Sequence, residues 1–442
     1  MRFVPWILFA AWCVLRAAIA SSLDPLADEA LYWTWSLSPS WGYYDQPPGV
    51  VAAIRVGTWL LGATPLALRA VGLVACAVAL ADLSRCAPEG KRLLGLWSLL
   101  PVLFGLTLLA VPDALRIAAW AAGLAAALRG RWVLLGLFTA AATLARHDGI
   151  VLLPLVALAL RPRPLDLARA SAVCSLALAP HLCWLADHGF VTVAFQASEG
   201  LWKEGRSWWG PLWMGLDQLS VATPLGVLAA LVVAAQGPGE DPVRRLGWWT
   251  SVPLFAFFLA ASLGAPPEAH WPASAWLGVG LVTSTWTGAR LRLLWMWMGL
   301  SGLVTFAAVW HVFTPLVPLP ADPADQFRQG KVLAEAARPW LLPEGALAHD
   351  SEARAIRVDT ERYQEAAWLQ WFLGVDSGVA PGCGRHGQND LSSPRSPSPW
   401  FVRPATGGPP SCVSVGARHV LRGVQPATGR LVGRWDLFER SP

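Results

Sequence analysis

Apolar stretches alternate with short polar segments along the first 315 residues of the chain. Read in order, the stretches predict about eleven membrane-spanning helices, at residues 3–20, 65–82, 93–110, 114–128, 132–145, 149–160, 170–186, 213–235, 248–263, 273–287 and 293–315. Several segments are shorter than the roughly 20 residues that a straight helix needs to cross a bilayer, so the count can change by about two. The pattern predicts an all-α polytopic membrane protein.

If the chain crosses the membrane at each of these segments, every second connecting loop contains arginine or lysine. These residues are Arg85, Lys91, Arg92, Arg129, Arg131, Arg161, Arg163, Arg169, Arg244, Arg245, Arg290 and Arg292. Because loops rich in these residues stay in the cytoplasm, the other loops are expected on the extracytoplasmic side of a bacterial inner membrane. The first stretch can be an uncleaved helix or a signal peptide cleaved after residues 18–20, and either places residue 21 outside.

The composition changes after residue 315. Residues 316–442 combine proline, glycine and arginine with short strand-like pieces, which predicts a small C-terminal extracytoplasmic α/β domain. The expected division is therefore a transmembrane domain at 1–315, whose first extracytoplasmic loop covers 21–64, followed by this domain at 316–442.

Three features of the C-terminal region can be interpreted individually. Residues 331–341 have the pattern of an amphipathic helix, and residues 433–440 that of a last strand. Cys383 and Cys412 are the only cysteines after residue 315. An oxidising compartment permits a disulfide between them, and two free thiols are the alternative.

Composition supports a membrane protein and excludes several function classes. Of the residues, 55% are hydrophobic and 14% charged, with mean hydropathy +0.44, whereas a soluble domain carries about 25% charged residues. The pI near 9.0 comes from basic residues between apolar segments, so nucleic-acid binding is not expected. The sequence contains no Walker loop, GxGxxG, HExxH or CxxC pattern, which argues against a soluble nucleotide-sugar site and an ATP-driven pump.

The chemically distinctive residues fall in or beside the loops expected outside. They are Asp28, Glu29, Asp45, Asp113, Arg146, His147, Asp148, Lys203, Arg206, Glu268 and His270. Asp113 lies in a turn of a few residues between two apolar segments, at the rim of the bilayer. A carboxylate there is costly and tends to be functional, so a functional role for Asp113 is favoured over simple solvation in a loop.

The first extracytoplasmic loop has the most informative sequence. It reads DEALYWTWS at residues 28–36 and WGYYDQPPGV at residues 41–50. Residues 49–61 follow, with apolar residues and Arg55 on one flank. This last segment predicts a helix that lies along the membrane interface and does not cross.

These motifs resemble the first loop of bacterial lipid-linked-sugar glycosyltransferases of the C-type superfamily, the protein O-mannosyltransferase-like and aminoarabinose-transferase-like enzymes. The resemblance continues through VPDAL, LARHDGIVLLP, LADHGFVTVAFQ and EAHWPASAW, and covers about residues 20–280. It implies the C-type architecture and an integral-membrane enzyme that takes a sugar from a polyprenyl-phosphate carrier on the extracytoplasmic side.

The resemblance also implies roles for individual positions. Family members place an acidic residue of the first loop at the sugar's reaction centre, which corresponds here to Asp28, with Glu29 beside it. The second acidic motif corresponds to Asp113. Further matches are a tyrosine-rich element that frames the site entrance (Tyr43, Tyr44, Asp45), a cationic position (Arg146, His147) and the HWP element (His270). Relatives have a basic residue where this chain has Gln46, and a Lys-Tyr pair where it has Arg-His.

In such an inverting transfer, an acceptor hydroxyl or amine attacks the anomeric carbon and polyprenyl phosphate leaves. A base contributes roughly 10²–10⁴-fold, and Asp28 is the predicted base. Fixed cations stabilise the departing phosphate; the candidates are Arg146, His147, Lys203, Arg206, His270 and Arg55. Asp113 and Glu29 are expected either to orient the acceptor or to hold a divalent metal, Mg²⁺ or Mn²⁺, as oxygen ligands. Because metal dependence differs within the superfamily, no metal is predicted as certain.

Two other interpretations remain open on sequence alone. A transporter or flippase of lipid-linked saccharides would also be polytopic, although an internal repeat, which transporters often show, is not visible. A catalytically inactive homologue is the second alternative, because Gln46 and His147 depart from the family pattern. An O-antigen ligase or polymerase is a close variant of the proposed chemistry. The acceptor is open between a protein, a lipid A-like glycolipid and a polysaccharide.

Overall fold

The computed structural model describes residues 4–197, 208–264, 267–317, 319, 322–380, 383, 398–405, 412–413, 415–424 and 431–440. The chain divides into two compact units. What we call the helical unit comprises Met1–Ala20, Ser40–Ala53 and Arg69–Val309. The mixed unit comprises Ser21–Pro39, Ile54–Leu68 and Trp310–Pro442. Two segments of the predicted first loop thus group with the C-terminal residues.

The described residues are mostly helical. In chain order the helices are α1 Val4–Ser22, α2 Ala27–Ser36, α3 Gly49–Leu61, α4 Pro65–Ser84, α5 Gly90–Leu99, α6 Pro101–Leu106, α7 Pro112–Leu128, α8 Trp132–Ala145, α9 Leu152–Leu160, α10 Pro164–Asp187, α11 Val191–Gln196, α12 Gly210–Gln236, α13 Pro242–Trp249, α14 Val252–Ala261, α15 Ala273–Ser284, α16 Gly288–Phe313, α17 Gln326–Leu341, α18 Ser351–Ala355 and α19 Tyr363–Leu373. The strands are β1 Arg357–Thr360, β2 Asp376–Val379, β3 Trp400–Pro404, β4 Val415–Val424 and β5 Leu431–Arg440.

Among the described residues, four helices are long and apolar enough to cross a membrane: α4, α10, α12 and α16. Helices α1 and α2 add a fifth only if they are counted as one broken span, because they are bent by 86°. The predicted count of about eleven spans is therefore not confirmed. One physical reason is that prolines divide apolar runs: Pro101 begins α6 directly after α5, within the segment expected to form a single span.

Helix α7 lies almost entirely in the core of the helical unit. Its sequence is rich in alanine, and these small side chains allow α8 to pack closely against it. Pro112 occupies its first turn, where the missing N–H has no helical partner to lose. Asp113 and Arg116 follow in that turn, three residues apart and therefore on one face of the helix.

A tight 3₁₀ turn, His147–Val151, follows α8 and aims Arg146, His147 and Asp148 away from the helix axis. The turn folds back against α8 so closely that a Cβ at Gly149 would lie 2.2 Å from the carbonyl carbon of Ala142. Only glycine fits at this position without a shift of the backbone. The glycine of the RHDG sequence thus fixes the direction of the three polar residues before it.

The mixed unit contains a five-stranded sheet in the order β2-β1-β3-β5-β4. Strands β2, β1 and β3 are parallel, while β5 pairs antiparallel with β3 and β4. Helix α19 packs on α2, where Trp33 and Trp371 meet edge to face at 4.9 Å between ring centroids. The small C-terminal α/β domain is confirmed, with the predicted amphipathic helix inside α17 and the predicted last strand inside β5.

Cys383 and Cys412 form a disulfide, with 5.2 Å between their Cα atoms. The structure thus favours the bonded alternative over two free thiols. Because the bond closes a segment of 29 residues, its loss should cost roughly 3–4 kcal/mol in the chain-entropy picture. We expect Cys412→Ser to lower the thermal midpoint of the purified protein. The control is wild type in reductant, which should show the same loss; an unchanged midpoint in both would contradict the prediction.

Candidate active site

Asp113 is the centre of a buried ionic cluster in the helical unit. Its Oδ1 accepts from Arg116 Nη2 at 2.7 Å and from Arg146 Nη1 at 3.0 Å. Its Oδ2 lies 3.5 Å from His270 Nε2. The Arg116 side chain is fully buried and that of Arg146 is 16% exposed. One carboxylate therefore holds two guanidinium groups and an imidazole at the start of α7.

Neighbouring groups complete the cluster. Asp148 Oδ2 accepts a short hydrogen bond from Arg116 Nη1, and Asp148 Oδ1 lies 3.7 Å from Arg146 Nε. Arg116 Nη2 also donates to the Trp271 carbonyl oxygen at 2.9 Å, and the Arg146 guanidinium stacks over the Trp271 ring at 4.8 Å from its centroid. The HWP and RHDG elements and the VPDAL turn thus converge, although they are far apart in the sequence.

Electrostatics keep this cluster ionised. Burial opposes the charge on Asp113, but the positive charges of Arg146 and Arg116 outweigh it, so the pKa of the Asp113 carboxyl is held below its ordinary value. Burial also opposes the charge on Arg146, whereas the carboxylates of Asp113 and Asp148 raise the pKa of its guanidinium. Asp113 and Arg146 therefore present fixed, opposite charges at neutral pH.

The donor set of this cluster does not suit a divalent cation. Both Asp113 oxygens are engaged by Arg116, Arg146 and His270, so a metal ion there would face two guanidinium charges. Within the described part of the chain, no group of three or more His, Cys, Asp and Glu side chains could hold a metal. The metal-holding role predicted for Asp113 as an alternative therefore has no support from the geometry at this carboxylate.

A pair of histidines adjoins the cluster in the same unit. His181 Nδ1 lies 2.7 Å from the Trp41 carbonyl oxygen, which can only accept, so Nδ1 carries the proton. Nε2 of neutral His181 is then an acceptor, and His147 Nε2 donates to it across 3.2 Å. This leaves His147 Nδ1 as an acceptor. Burial, the neighbouring His181 and the charge of Arg146 lower the pKa of His147 to about 4.

This low pKa predicts that His147 makes the fold sensitive to acid. Stability from the neutral ring is complete above the ordinary value of 6.5 and is lost as the pH falls from 6.5 toward about 4. We expect the thermal midpoint to fall less between pH 7 and pH 5 in His147→Gln than in wild type. The exposed His188, in the same ring stack, supplies the control: His188→Gln should follow wild type. Identical pH dependence in all three proteins would refute the assignment.

The tyrosine-rich element of the first loop is fixed in the helical unit. Tyr43 is 2% exposed, its hydroxyl accepts from the Ser40 N–H at 3.0 Å, and its carbonyl accepts from Thr192. Tyr44 packs on Phe195 at 5.3 Å between ring centroids. The Asp45 carbonyl accepts from Gln196 Nε2 at 2.6 Å. The LADHGFVTVAFQ motif therefore holds this loop in place through α11.

The other first-loop candidates lie in the mixed unit. Asp28 Oδ1 accepts a hydrogen bond from the Tyr363 hydroxyl at 2.9 Å. Glu29 is fully buried, and its carboxylate accepts from the Leu26 N–H at 3.0 Å, which caps the start of α2. Arg55 donates to the Ser36 carbonyl at the other end of α2. Glu29 and Arg55 thus have structural contacts that explain their presence without a substrate.

The structure brings several of the predicted site residues together and adds two that the sequence did not predict. Asp113, Arg146 and His270 come together. His147 follows Arg146 in the chain and contacts His181, which contacts the Trp41 carbonyl two residues before Tyr43. Arg116 and His181 were not predicted; the signal for both was a charged or polar residue inside an apolar stretch. Lys203 and Arg206 lie outside the described residues.

Apolar spanning helices and this fold define a multi-pass membrane protein with a buried ionic site at helix ends. No protein-family profile matches the chain. The chain is 25% identical over 345 residues to the lipid A galacturonosyltransferase RgtD of Rhizobium johnstonii. This alignment covers 70% of this chain and 69% of RgtD. The fold of this chain is similar to that of ArnT from Cupriavidus metallidurans.

The fold similarity extends over essentially the whole chain. The crystal structure of ArnT in the apo state matches with a TM-score of 0.66 and the structure bound to undecaprenyl phosphate with 0.65. Each match has 13% sequence identity and covers 99% of this chain and 98% of ArnT. The resemblance to C-type lipid-linked-sugar glycosyltransferases is therefore confirmed, and the fold is ArnT-like.

Proposed function

We propose that this chain transfers a sugar from a polyprenyl-phosphate carrier to an acceptor on the extracytoplasmic side of the membrane. The observation that carries the proposal is the Asp113 cluster, where one carboxylate pre-positions the fully buried guanidinium of Arg116 and the partly buried one of Arg146. Similarity to RgtD supports glycosyl transfer, and the ArnT structure with undecaprenyl phosphate supports the class of carrier.

The chemistry of the proposed reaction assigns distinct tasks to the two kinds of charge. An acceptor oxygen forms a bond to the anomeric carbon while the bond from that carbon to the phosphate oxygen breaks. The phosphate leaves as an anion, so no general acid is required, and Arg146, the more exposed of the two arginines, stabilises it. We assign the acceptor's proton to Asp28. Attack opposite the leaving phosphate would invert the anomeric configuration.

The paired aspartates have a consequence for binding. Asp113 and Asp148 neutralise Arg116 and Arg146 in the absence of substrate, so neither guanidinium is a bare buried charge. An incoming phosphate would bind Arg146 while these carboxylates still contact it. Because they already fix the orientation of the guanidinium, less entropy would be lost on binding. We infer that the aspartates position the arginine and do not touch the sugar.

For the acceptor we favour a lipid A-like glycolipid over a protein or a polysaccharide. The reason is the sequence similarity to RgtD, a lipid A galacturonosyltransferase, over most of both chains. At 25% identity, the sugar that RgtD transfers is not assigned to this chain, and we propose no particular sugar.

Purified protein in proteoliposomes provides the test. Radiolabelled undecaprenyl-phosphate sugars are supplied with lipid A, with a protein acceptor or with no acceptor, and label is followed by thin-layer chromatography. We expect transfer to lipid A only. Transfer to protein alone would retain the enzyme and replace the acceptor. Movement of labelled donor across the bilayer without transfer would favour the transporter interpretation and overturn the proposal.

A further inference from the structure

A second polar pocket lies in the helical unit, apart from the Asp113 cluster. Its volume is about 270 Å³, and its lining includes Gln236 at the end of α12, Arg244 in α13, Thr285 after α15, and Arg290 in the first turn of α16. None of these residues belongs to the proposed transfer site. The pocket therefore calls for a separate explanation.

The pocket lies at the opposite end of the helices from the HWP element. Gln218 of α12 donates to the Ala269 carbonyl at 2.8 Å, beside His270 of the Asp113 cluster. Helix α12 continues past a kink at Thr223 to Gln236, which lines the pocket. Helix α15 begins at Ala273, directly after the HWP element, and ends at Ser284, next to Thr285 of the pocket. Its 12 residues correspond to roughly 18 Å along the axis, so the pocket and the HWP element lie at opposite ends of α15.

The guanidinium groups of the partly buried Arg244 and the exposed Arg290 have only neutral hydrogen-bond partners. Arg244 Nη2 donates to the carbonyl oxygens of Gln236 and Gly237 at 3.0 and 3.5 Å, and its buried Nε has no hydrogen-bond partner. Arg290 Nη1 and Nε both lie 3.0 Å from the Gln236 side-chain oxygen, when this amide is oriented to accept. Within the described segments, no carboxylate lies within 4.0 Å of either guanidinium.

This pattern contrasts with the Asp113 cluster, where Arg116 and Arg146 are each held by aspartates. Buried Arg16 also donates to neutral groups, the Phe104 carbonyl and the Thr107 hydroxyl. What distinguishes Arg244 and Arg290 is the cavity that both of them line. Asp241 caps α13 through the Arg244 backbone N–H and pairs with neither guanidinium. The described lining of the cavity therefore contains two positive side chains and no carboxylate. The first turn of α16 adds backbone N–H groups without helical partners on the same side.

We propose that this pocket binds a phosphate group, as an anchoring site distinct from the transfer site. Guanidinium groups and helix N-termini are the donors that phosphate prefers. The loops that form the pocket are those expected at the cytoplasmic face, where basic pockets between spanning helices bind anionic lipid headgroups. The phosphate can belong to such a headgroup or to a soluble anion, and the test separates these sources.

The test compares Arg290→Gln and Arg244→Gln with Arg292→Gln, a control that removes the same charge from an exposed position of α16 outside the pocket lining. Native mass spectrometry counts phosphatidylglycerol bound to the purified protein, and thermal unfolding measures stabilisation by inorganic phosphate. Loss of one charged hydrogen bond should weaken binding about tenfold or more in the pocket variants. Arg290→Gln suffices if Arg244→Gln, which loses a cap on α12, does not fold.

The outcomes are distinct. Loss of bound phosphatidylglycerol in the pocket variants, with normal binding in Arg292→Gln, supports a lipid headgroup as the ligand. Loss of the phosphate-induced thermal shift alone, with lipid binding unchanged, supports a soluble anion. Equal binding in wild type and all variants, or equal loss in Arg292→Gln, overturns the proposal. Sugar transfer is not used as a readout, so failure here is separate from failure of the proposed function.

Discussion

Replacing Asp113 with asparagine should strongly reduce sugar transfer and also destabilise the protein. Asparagine keeps the size of the side chain but removes the charge that holds Arg116, Arg146 and His270. Breaking a buried pair by removing one partner leaves an uncompensated charge and costs about 3–5 kcal/mol. Since the guanidinium groups would also lose their orientation, we expect transfer to fall at least roughly 10²-fold.

Asp82→Asn is the matched control for this prediction. It removes an aspartate from another Asp–Arg pair of the helical unit, with Arg129, but there the two side chains are 42% and 29% exposed. Exposed pairs contribute about 0–1 kcal/mol. Thermal unfolding and the radiolabelled transfer assay should therefore show a large loss for Asp113→Asn and a small one for Asp82→Asn. Comparable effects for both would mean that the buried cluster has no special role.

Replacing Asp28 with asparagine should remove transfer without loss of stability. The asparagine oxygen can still accept from the Tyr363 hydroxyl, now 2.9 Å from Asp28 Oδ1, so the packing of α19 on α2 should persist. What is lost is the proton acceptor. We therefore expect kcat to fall roughly 10²–10⁴-fold with an unchanged thermal midpoint.

Tyr363→Phe separates catalysis from structure at this position. This substitution removes the hydrogen bond to Asp28 but leaves the Asp28 carboxylate. If Asp28 has only a structural role, transfer should fall more in Tyr363→Phe than in Asp28→Asn. If Asp28 is the base, transfer should fall more in Asp28→Asn. Transfer that persists in purified Asp28→Asn would show that Asp28 is not the base. That result would not bear on the proposed phosphate contact of Arg146.

The sequence allowed the class of fold to be predicted because its main signals are local. Apolar runs, basic loops and the change of composition after residue 315 depend on short stretches of chain. The helix at 49–61 and the C-terminal helix and strand were predicted for the same reason. The predicted span count is not confirmed, because prolines and polar breaks divide several apolar runs into shorter helices, and hydropathy alone does not register such breaks.

The candidate site could be predicted only in part. Asp113, Arg146 and His270 carried visible motifs, whereas the ion pairs that join them with Arg116 depend on long-range packing of α7 against the RHDG turn. The role predicted for Glu29 stays a prediction, and its position three residues after Leu26 also suits the helix-capping contact that the structure shows. Residues inside apolar segments were the ones that sequence reasoning passed over.

The central claim is that the Asp113 cluster faces the extracytoplasmic side, where the lipid-linked donor would be used. Single cysteines at Glu268 and Ala289 test it most directly, in a chain whose five free cysteines are replaced by serine. Both positions are exposed at opposite ends of the helical unit. An impermeant maleimide should label Glu268→Cys in intact spheroplasts and Ala289→Cys only after lysis. Labelling of Ala289→Cys from outside, with Glu268→Cys protected, would contradict the orientation and the function built on it.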